Sequence, residues 1–90
     1  MDKTKRYKIE SESFSLERYY GISSVPYTFT AWKIKVDKFP NKQIAVYQAK
    51  SGWIVYDMDT KTSYGKERAG LGWIGYDDKI TAIENYIKQL

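Results

Sequence analysis

Apolar and polar side chains alternate most regularly in the stretch from Tyr27 to Lys38. Its apolar positions are Trp32, Ile34 and Val36, and its polar positions are Lys33, Lys35 and Asp37. A period of two is typical of a strand with one buried face, so we expect a half-buried β-strand here. Shorter apolar runs follow at 44–47, 53–58 and 62–64, separated by turn-forming residues at 40–42, 50–52 and 59–61. Because antiparallel neighbours need only such short connections, these runs predict an antiparallel meander.

The C-terminal segment changes to a helical period. Four apolar residues recur there at spacings of three or four positions: Ile80, Ile83, Ile87 and Leu90. Such a stripe predicts an amphipathic helix, and of the two candidate caps, Asp77 and Asp78, we expect Asp78 to cap its first turn. The stripe should pack on the strand face that carries Trp32, Ile34 and Val36. The predicted fold class is therefore α+β, an antiparallel β-meander of four to five strands with one C-terminal helix packed on one face.

The N-terminal part of the chain is less regular. Residues 9–20 favour a strand because aromatic side chains suit a pleated surface, and residues 21–26 have the composition of a loop. Residues 1–8 carry four basic residues and one acidic residue, and we expect them to form a solvated basic arm or the approach to a first strand. At 90 residues, the whole chain, 1–90, is expected to be a single domain.

Two segments nearly repeat one another: GWIVYD at Gly52–Asp57 and GWIGYD at Gly72–Asp77. The second lies at the end of a glycine-rich stretch, 65–75, which we expect to be a flexible loop that reverses the chain before the helix. Within it, glycines at 70, 72 and 75 match the GxGxxG fingerprint of dinucleotide-binding folds. That fingerprint works in a strand–helix–strand unit. No second strand follows the predicted helix, so we expect no nucleotide cofactor.

The composition removes several classes of chemistry. The chain has no Cys and no His, so it lacks thiolates, disulfides and the commonest general base and metal ligand. Turns and helix capping explain the aspartates at 59, 77 and 78, while Asp57 is expected to face solvent. No apolar run is long enough for a signal peptide or a membrane span. We therefore expect a cytoplasmic protein that is not an enzyme, with no metal, no cofactor and no membrane partner.

The charge distribution suggests a binding face. The net charge is +4, which favours polyanionic partners. If the apolar members of the clearest strand point to the helix, lysines should alternate with tyrosines on the opposite, open face of the sheet. Rings stack on bases and lysines neutralise phosphates, so such a face suits nucleic acid. The predicted nucleic-acid contacts are Lys33, Lys35, Lys42, Tyr47 and Tyr56. An ordinary solvated face on a Tyr-rich protein explains the same pattern without a ligand.

A protein-binding role is the competing hypothesis. Trp and Tyr dominate the energetics of protein interfaces, and the glycine-rich stretch carries three large apolar residues, which would anchor a partner: Leu71, Trp73 and Ile74. Small cysteine-free proteins rich in Tyr and Trp resemble the accessory and anti-defence proteins of phages and mobile elements. That resemblance implies inhibition of a host protein by occlusion.

The approach to the helix supplies a second resemblance. Residues 75–82 read Gly-Tyr-Asp-Asp-Lys-Ile-Thr-Ala, and this stretch, together with the order of three strands and a helix over Trp32–Leu90, is similar to the arm-type DNA-binding domains of integrases and to plant AP2-like domains. In those families the sheet enters the major groove and the helix braces it from behind. The resemblance implies DNA rather than RNA as the partner, with Lys33, Lys35 and Lys42 at the contact.

Overall fold

The computed structural model describes residues 6–19, 24–70 and 72–90. Five strands form one antiparallel sheet in which neighbours along the chain are also neighbours in the sheet, and two short strands form a separate ribbon. The strands are β1 Tyr7–Arg18, β2 Tyr27–Val36, β3 Phe39–Ala49, β4 Gly52–Asp57, β5 Thr62–Tyr64, β6 Glu67–Ala69 and β7 Gly72–Ile74, and the helix is α1 Lys79–Ile87. The predicted fold class is confirmed: the protein is an α+β meander with one C-terminal helix.

Several predicted boundaries move. Of the two alternatives for residues 1–8, the structure favours the approach to a strand, since Tyr7 is buried and pairs with Val36; residues 1–5 lie outside the described residues. The turn predicted at 40–42 lies inside β3, because the chain reverses earlier, at residues 37–38. The β2–β3 register is irregular between Ile34 and Val36. A bulged strand tolerates Pro40, which has no amide to donate. Of the predicted loop 21–26, residues 21–23 lie outside the described part.

One face of the sheet packs on the helix, and we call the buried residues there the helix-face core. It contains Tyr7, Ile34, Val36, Ile44, Val46, Val55, Ala82, Ile83, Tyr86 and Ile87. The predicted helix stripe is wrong in two members, since Ile80 is 40% and Leu90 42% exposed. Leu90 lies beyond the end of the helix at Ile87. At about 100° per residue, Ile80 lies roughly 90° from the centre of the buried face. Ala82 and Tyr86 take its place in the core.

The helix begins as predicted. Asp78 is the N-cap residue, and its Oδ1 accepts a hydrogen bond from the Thr81 amide at 2.7 Å. That bond satisfies one of the amides left open in the first turn, and it holds the pKa of Asp78 below its usual value. In the first turn, the Lys79 ammonium lies 5.2 Å from the Trp32 ring and 5.9 Å from the Trp53 ring, so it ties the helix start to β2 and β4.

The opposite face of the sheet is also covered, and we call its buried residues the outer-face core. They are Leu16, Ala31, Ala45, Tyr47, Ile54 and Tyr56. Although β1 and β5 form opposite edges of the sheet, Arg18 of β1 donates a 2.8 Å hydrogen bond to Ser63 of β5. The far end of the β1–β2 hairpin therefore curls across the outer face. The β6–β7 ribbon contributes Trp73 to the same core.

The two near-repeated segments meet in space. The Trp53 amide donates to the Tyr76 carbonyl at 2.8 Å, and the Tyr76 amide donates to the Trp53 carbonyl at 2.9 Å. This bridge requires glycine at two places, since Gly52 has a φ of 133° and a Cβ on Gly75 would collide with the Gly52 backbone. The stretch predicted as a flexible loop is therefore largely the ordered ribbon β6–β7. Gly65 and Gly75 allow close chain packing, whereas Gly70 has a positive φ of 58° and a Cβ on Gly72 would meet open space.

Candidate nucleic-acid interface

The predicted lysine–tyrosine face is only partly present. Lys33 and Lys35 are exposed on the outer face, where Lys35 pairs across the strands with Lys8. Tyr47, however, is fully buried, and its ring lies 4.8 Å from that of Phe29. Tyr56 is 7% exposed and lies under the Arg18 guanidinium, 4.0 Å from its ring centroid. The prediction that these two tyrosines present open rings is wrong, because β1 and β2 curl over them.

Lys42 lies on the other side of the sheet. Its alternation matches Ile44 and Val46, which face the helix, so its placement on the outer face was wrong. The Lys42 Nζ forms an ion pair with Asp57 Oδ2 at 2.8 Å. Asp57 is 1% exposed, which corrects the expectation that it faces solvent. The Tyr86 hydroxyl also donates to Asp57 Oδ2, at 3.4 Å.

The environment of Asp57 keeps it charged. Burial by itself would raise its pKa, but the bond from Lys42 and the amides of Thr60 and Asp59 outweigh burial and hold the pKa below its usual value. The same bond raises the pKa of Lys42, and burial beside this carboxylate raises the pKa of Tyr86. The group joins β3, the β4–β5 turn and the helix. Its carboxylate is saturated with internal donors, so it serves structure rather than a ligand.

Two adjoining hollows open on the outer side, and Gly72 and Trp73 line both. The apolar hollow has a volume of about 530 Å³ and is lined by Tyr27, Phe29, Ala49, Lys50, Ser51, Ile54, Ala69, Gly72 and Trp73. The basic hollow has a volume of about 290 Å³ and is lined by Arg18, Tyr19, Lys61, Thr62, Ser63, Arg68, Gly72 and Trp73. Ligand pockets of proteins typically measure about 300–1,000 Å³, so both are of a size to receive part of a ligand.

The ribbon holds Trp73 between the hollows. Ser51, in the β3–β4 turn, donates its hydroxyl hydrogen to the Trp73 carbonyl at 3.0 Å and accepts from the Gly75 amide at 3.2 Å. These bonds fix β7 against the sheet. Arg68 pairs with Trp73 across the ribbon, and its guanidinium carbon lies 5.3 Å from the Trp73 ring centroid. Trp73 is half-buried, so its ring is both anchored and accessible.

The three residues predicted to anchor a protein partner do not form one patch. Leu71 lies outside the described residues. Ile74 pairs with Glu67, one step along the ribbon from the pair that joins Trp73 and Arg68. Successive strand residues point to opposite sides, so Ile74, which is 37% exposed, faces away from the hollows. Of the predicted anchors that the structure describes, only Trp73 lines them.

The charge around the hollows is of one sign. Arg18, Lys61 and Arg68 line the basic hollow and Lys50 lines the apolar one, while no described lining residue of either is acidic. Lys61 has a φ of 58°, a left-handed conformation that is uncommon outside glycine, Asn and Asp. Lys61 lines the basic hollow together with Thr62 and Ser63 of β5. Positive charge next to an aromatic hollow is the arrangement expected for an anionic ligand with a flat apolar part.

Sequence reasoning missed most of this site for identifiable reasons. A signal for one pair was present, because Arg68 and Trp73 flank a short glycine-containing reversal, which favours cross-strand contact. Arg18 carried no such signal, since it meets Ser63 from 45 positions away. Tyr27 and Phe29 lie in the predicted strand, but their role depends on how β1 and β2 curl.

Searches against protein-family models, curated proteins and solved structures give no match. The geometry of the described residues therefore carries the functional argument. The only helix in that part of the chain is too short and too polar to cross a membrane. Nor do His, Cys, Asp or Glu side chains there gather in a group of three or more able to hold a metal ion.

Proposed function

We propose that the protein is a small non-enzymatic module that binds single-stranded nucleic acid around Trp73. The observation that carries this proposal is the pair of hollows that share Trp73. One hollow is apolar and aromatic, and the other is lined by three basic residues and by no acidic residue among those that the structure describes. The site differs from the sheet face predicted by Lys33, Lys35, Lys42, Tyr47 and Tyr56. The ligand class stays the same.

The two hollows suit the two parts of a nucleotide. Base–aromatic stacking contributes about 1–3 kcal/mol per base and tolerates any sequence. Trp73 and Phe29 supply aromatic surface in the apolar hollow. Contacts between phosphates and basic side chains such as Arg68 make binding depend on salt. The logarithm of the binding constant changes with the logarithm of the salt concentration with a slope of about −0.7 per phosphate contacted on a single strand. Three or four such contacts give a slope of roughly −2 to −3.

A single strand fits better than a duplex. The hollows are concave and lie between the ribbon and the curled sheet, so a base must leave its stack to reach the Trp73 ring. In a duplex that step costs a few kcal/mol, whereas an unpaired base pays much less. The resemblance to DNA-binding domains that insert a sheet into the major groove is thus not the binding mode proposed. The preference for DNA over RNA remains a prediction.

Binding to a protein is the competing proposal, and one observation favours it. Two large aromatic residues that line the hollows are well exposed, Tyr19 at 55% and Tyr27 at 56%. An apolar surface of this kind suits a partner chain as well. We prefer nucleic acid because of the charge. An apolar protein partner would leave the basic side chains of the basic hollow without ion-pair partners, at a cost in desolvation.

The test is fluorescence anisotropy with labelled single-stranded DNA, single-stranded RNA and duplex DNA at two salt concentrations. We expect dissociation constants of roughly 10⁻⁴–10⁻⁶ M for single strands, weaker binding to duplex, and a marked loss at the higher salt. Trp73→Ala should weaken single-strand binding about 5- to 150-fold, the equivalent of about 1–3 kcal/mol. Trp73→Phe, which keeps an aromatic ring, should retain most of the affinity.

Ile74→Ala is the matched control, since it alters the same strand on its other side. Thermal melts of each variant show whether the ribbon is retained. If no single strand binds at low salt, or if Ile74→Ala weakens binding as much as Trp73→Ala, the proposal is wrong. Binding to a protein that requires Trp73 and is insensitive to salt would replace it with the occlusion hypothesis.

A further inference from the structure

We infer that the basic hollow is a phosphate-binding subsite in which Arg18 makes the main contact with the phosphate. The inference rests on the proposed function and deepens it, because it assigns the backbone phosphate of the nucleotide whose base lies at Trp73. The groups that line this subsite are Arg18, Lys61, Arg68 and the hydroxyls of Thr62 and Ser63.

Arg18 has an incomplete set of hydrogen bonds. Its Nη2 donates to Ser63 Oγ at 2.8 Å, while its Nε is buried and, of the buried side-chain nitrogens and oxygens in the described residues, is the one without a partner. A buried donor left unsatisfied costs about 1–3 kcal/mol, and more when the group is charged. Because Arg18 lines a cationic hollow, this unsatisfied donor favours an anionic acceptor that enters from the hollow.

The geometry of a guanidinium says what that acceptor should be. Nε and Nη2 lie on the same edge and form a two-pronged fork that matches two oxygens of a phosphate or carboxylate. The Ser63 hydroxyl accepts from one prong, and no described group accepts from the other. A phosphate that takes both prongs displaces the Ser63 hydroxyl, which then turns to donate to the same phosphate. The count of hydrogen bonds rises, and the orphan Nε–H is satisfied.

The fork is held in place before any ligand arrives. The guanidinium stacks on the ring of Tyr56 at 4.0 Å, and that ring is itself buried in the outer-face core. Stacking fixes the plane of the guanidinium, which reduces the rotamer entropy lost on binding. None of Arg18, Lys61 and Arg68 forms an ion pair with a described residue; the ion pair in that part of the chain joins Lys42 and Asp57.

The position of Trp73 links this subsite to the base. Trp73 and Gly72 line both hollows, so a phosphate at Arg18 and a base at the Trp73 ring are neighbours rather than separate ligands. We therefore expect a nucleoside monophosphate to bind better than the nucleoside or inorganic phosphate alone.

Arginine Nε–H signals in a ¹⁵N NMR spectrum test the subsite directly. The chain has three arginines, Arg6, Arg18 and Arg68, so single Arg→Lys variants assign the spectrum. On titration with inorganic phosphate, and then with a nucleoside monophosphate, we expect a saturable shift of the Arg18 signal, a smaller shift of Arg68 and none of Arg6. Arg6 is the control because it is exposed and does not line either hollow.

Arg18→Lys sharpens the result, since it keeps the charge and removes the fork. Oligonucleotide affinity should fall about tenfold or more, as expected for the loss of a charge-assisted hydrogen bond, while the salt slope stays unchanged. An Arg18 signal that does not move, or an Arg18→Lys variant with unaltered affinity, overturns the subsite even if oligonucleotides bind through Trp73. A shift at Arg18 without oligonucleotide binding instead overturns the proposed function and leaves an anion site.

Discussion

Each face of the sheet carries a buried core, but the two cores are closed in different ways. The helix-face core is closed by the helix and is largely aliphatic, and the buried Asp57 carboxylate beside it is satisfied by Lys42 and Tyr86. The outer-face core is closed by the curled end of β1–β2 and by the ribbon, and beside it lie two open hollows whose cations have no ion-pair partner among the described residues. Polar groups whose hydrogen bonds are all made inside the protein serve stability, whereas polar groups that lack partners beside a hollow indicate a binding site. We therefore expect substitutions on the two faces to have opposite consequences.

The largest expected effect lies in the helix-face core. Ile83 has no exposed surface, so Ile83→Asp buries an unpaired carboxylate and should abolish cooperative unfolding, because the cost exceeds what a small domain can absorb. Ile80→Asp is the matched control on the same helix, at a position 40% exposed, and should change the unfolding free energy by about 0.5 kcal/mol or less. Circular dichroism melts measure both. Similar melts for the two variants would show that the helix is not docked as described.

The contrast between Ile83 and Ile80 also shows what the sequence can predict. Period-two alternation around Ile34 and the helical spacing around Ile83 report directly on local geometry, so the meander, the docked helix and the Asp78 cap were predictable. The burial of Tyr47 was not, because the outer face is closed by the curl of the β1–β2 hairpin. Contacts such as Arg18 with Ser63 depend on sheet twist, which no short window of sequence encodes. The candidate site lies in that unpredictable part.

A smaller effect is expected at the ion pair between the half-buried Lys42 and the buried Asp57. Lys42→Met leaves the Asp57 carboxylate without its cation and should cost about 1–3 kcal/mol of unfolding free energy. The pKa of Asp57 is lowered in the folded state, so its contribution to stability is present above the unfolded pKa of about 3.9 and is lost as pH falls through the lower, folded pKa. Urea melts between neutral pH and pH 2 should show this loss.

Asp57→Asn is the control for that interpretation, since it removes the titrating group. The variant should be less stable than the wild type at neutral pH. Its unfolding free energy should also lack the part of the decrease at acid pH that Asp57 contributes. Nucleic-acid binding of both variants should match the wild type, because neither residue lines the hollows. If the unfolding free energy of Asp57→Asn falls at acid pH as much as that of the wild type, the pH dependence belongs to other carboxyl groups.

The helix cap gives a still smaller test of the helix face. Asp78→Ala removes the acceptor of the Thr81 amide and should lower the melting temperature by a few degrees, since one first-turn amide loses its partner. Asp77→Ala, the neighbouring exposed carboxylate, removes the same charge without the cap and should change the melt less. A larger effect at Asp77 would place the start of the helix one residue earlier. Oligonucleotide affinity should respond little to either variant.

The smallest expected effect, and the one that separates the faces most sharply, concerns Lys33 and Lys35. Lys33 lies in the same cross-strand row as Ala45, Tyr56 and Ser63, so it continues the positive charge of the basic hollow along the outer face. Replacing both lysines by Ala should weaken binding severalfold on all sequences and flatten the salt slope by about 1.4, at about 0.7 per phosphate on a single strand.

The same double variant should not lose stability, although it binds more weakly. Lys35 lies directly opposite Lys8, and like charges in that position are destabilising, so the melting temperature should stay unchanged or rise. The control is Lys38→Ala with Lys88→Ala, which removes the same charge near the C-terminal end of the helix, where both line a separate hollow. If the control pair flattens the salt slope as much, binding responds to net charge rather than to the outer face, and the proposed distinction between the faces is wrong.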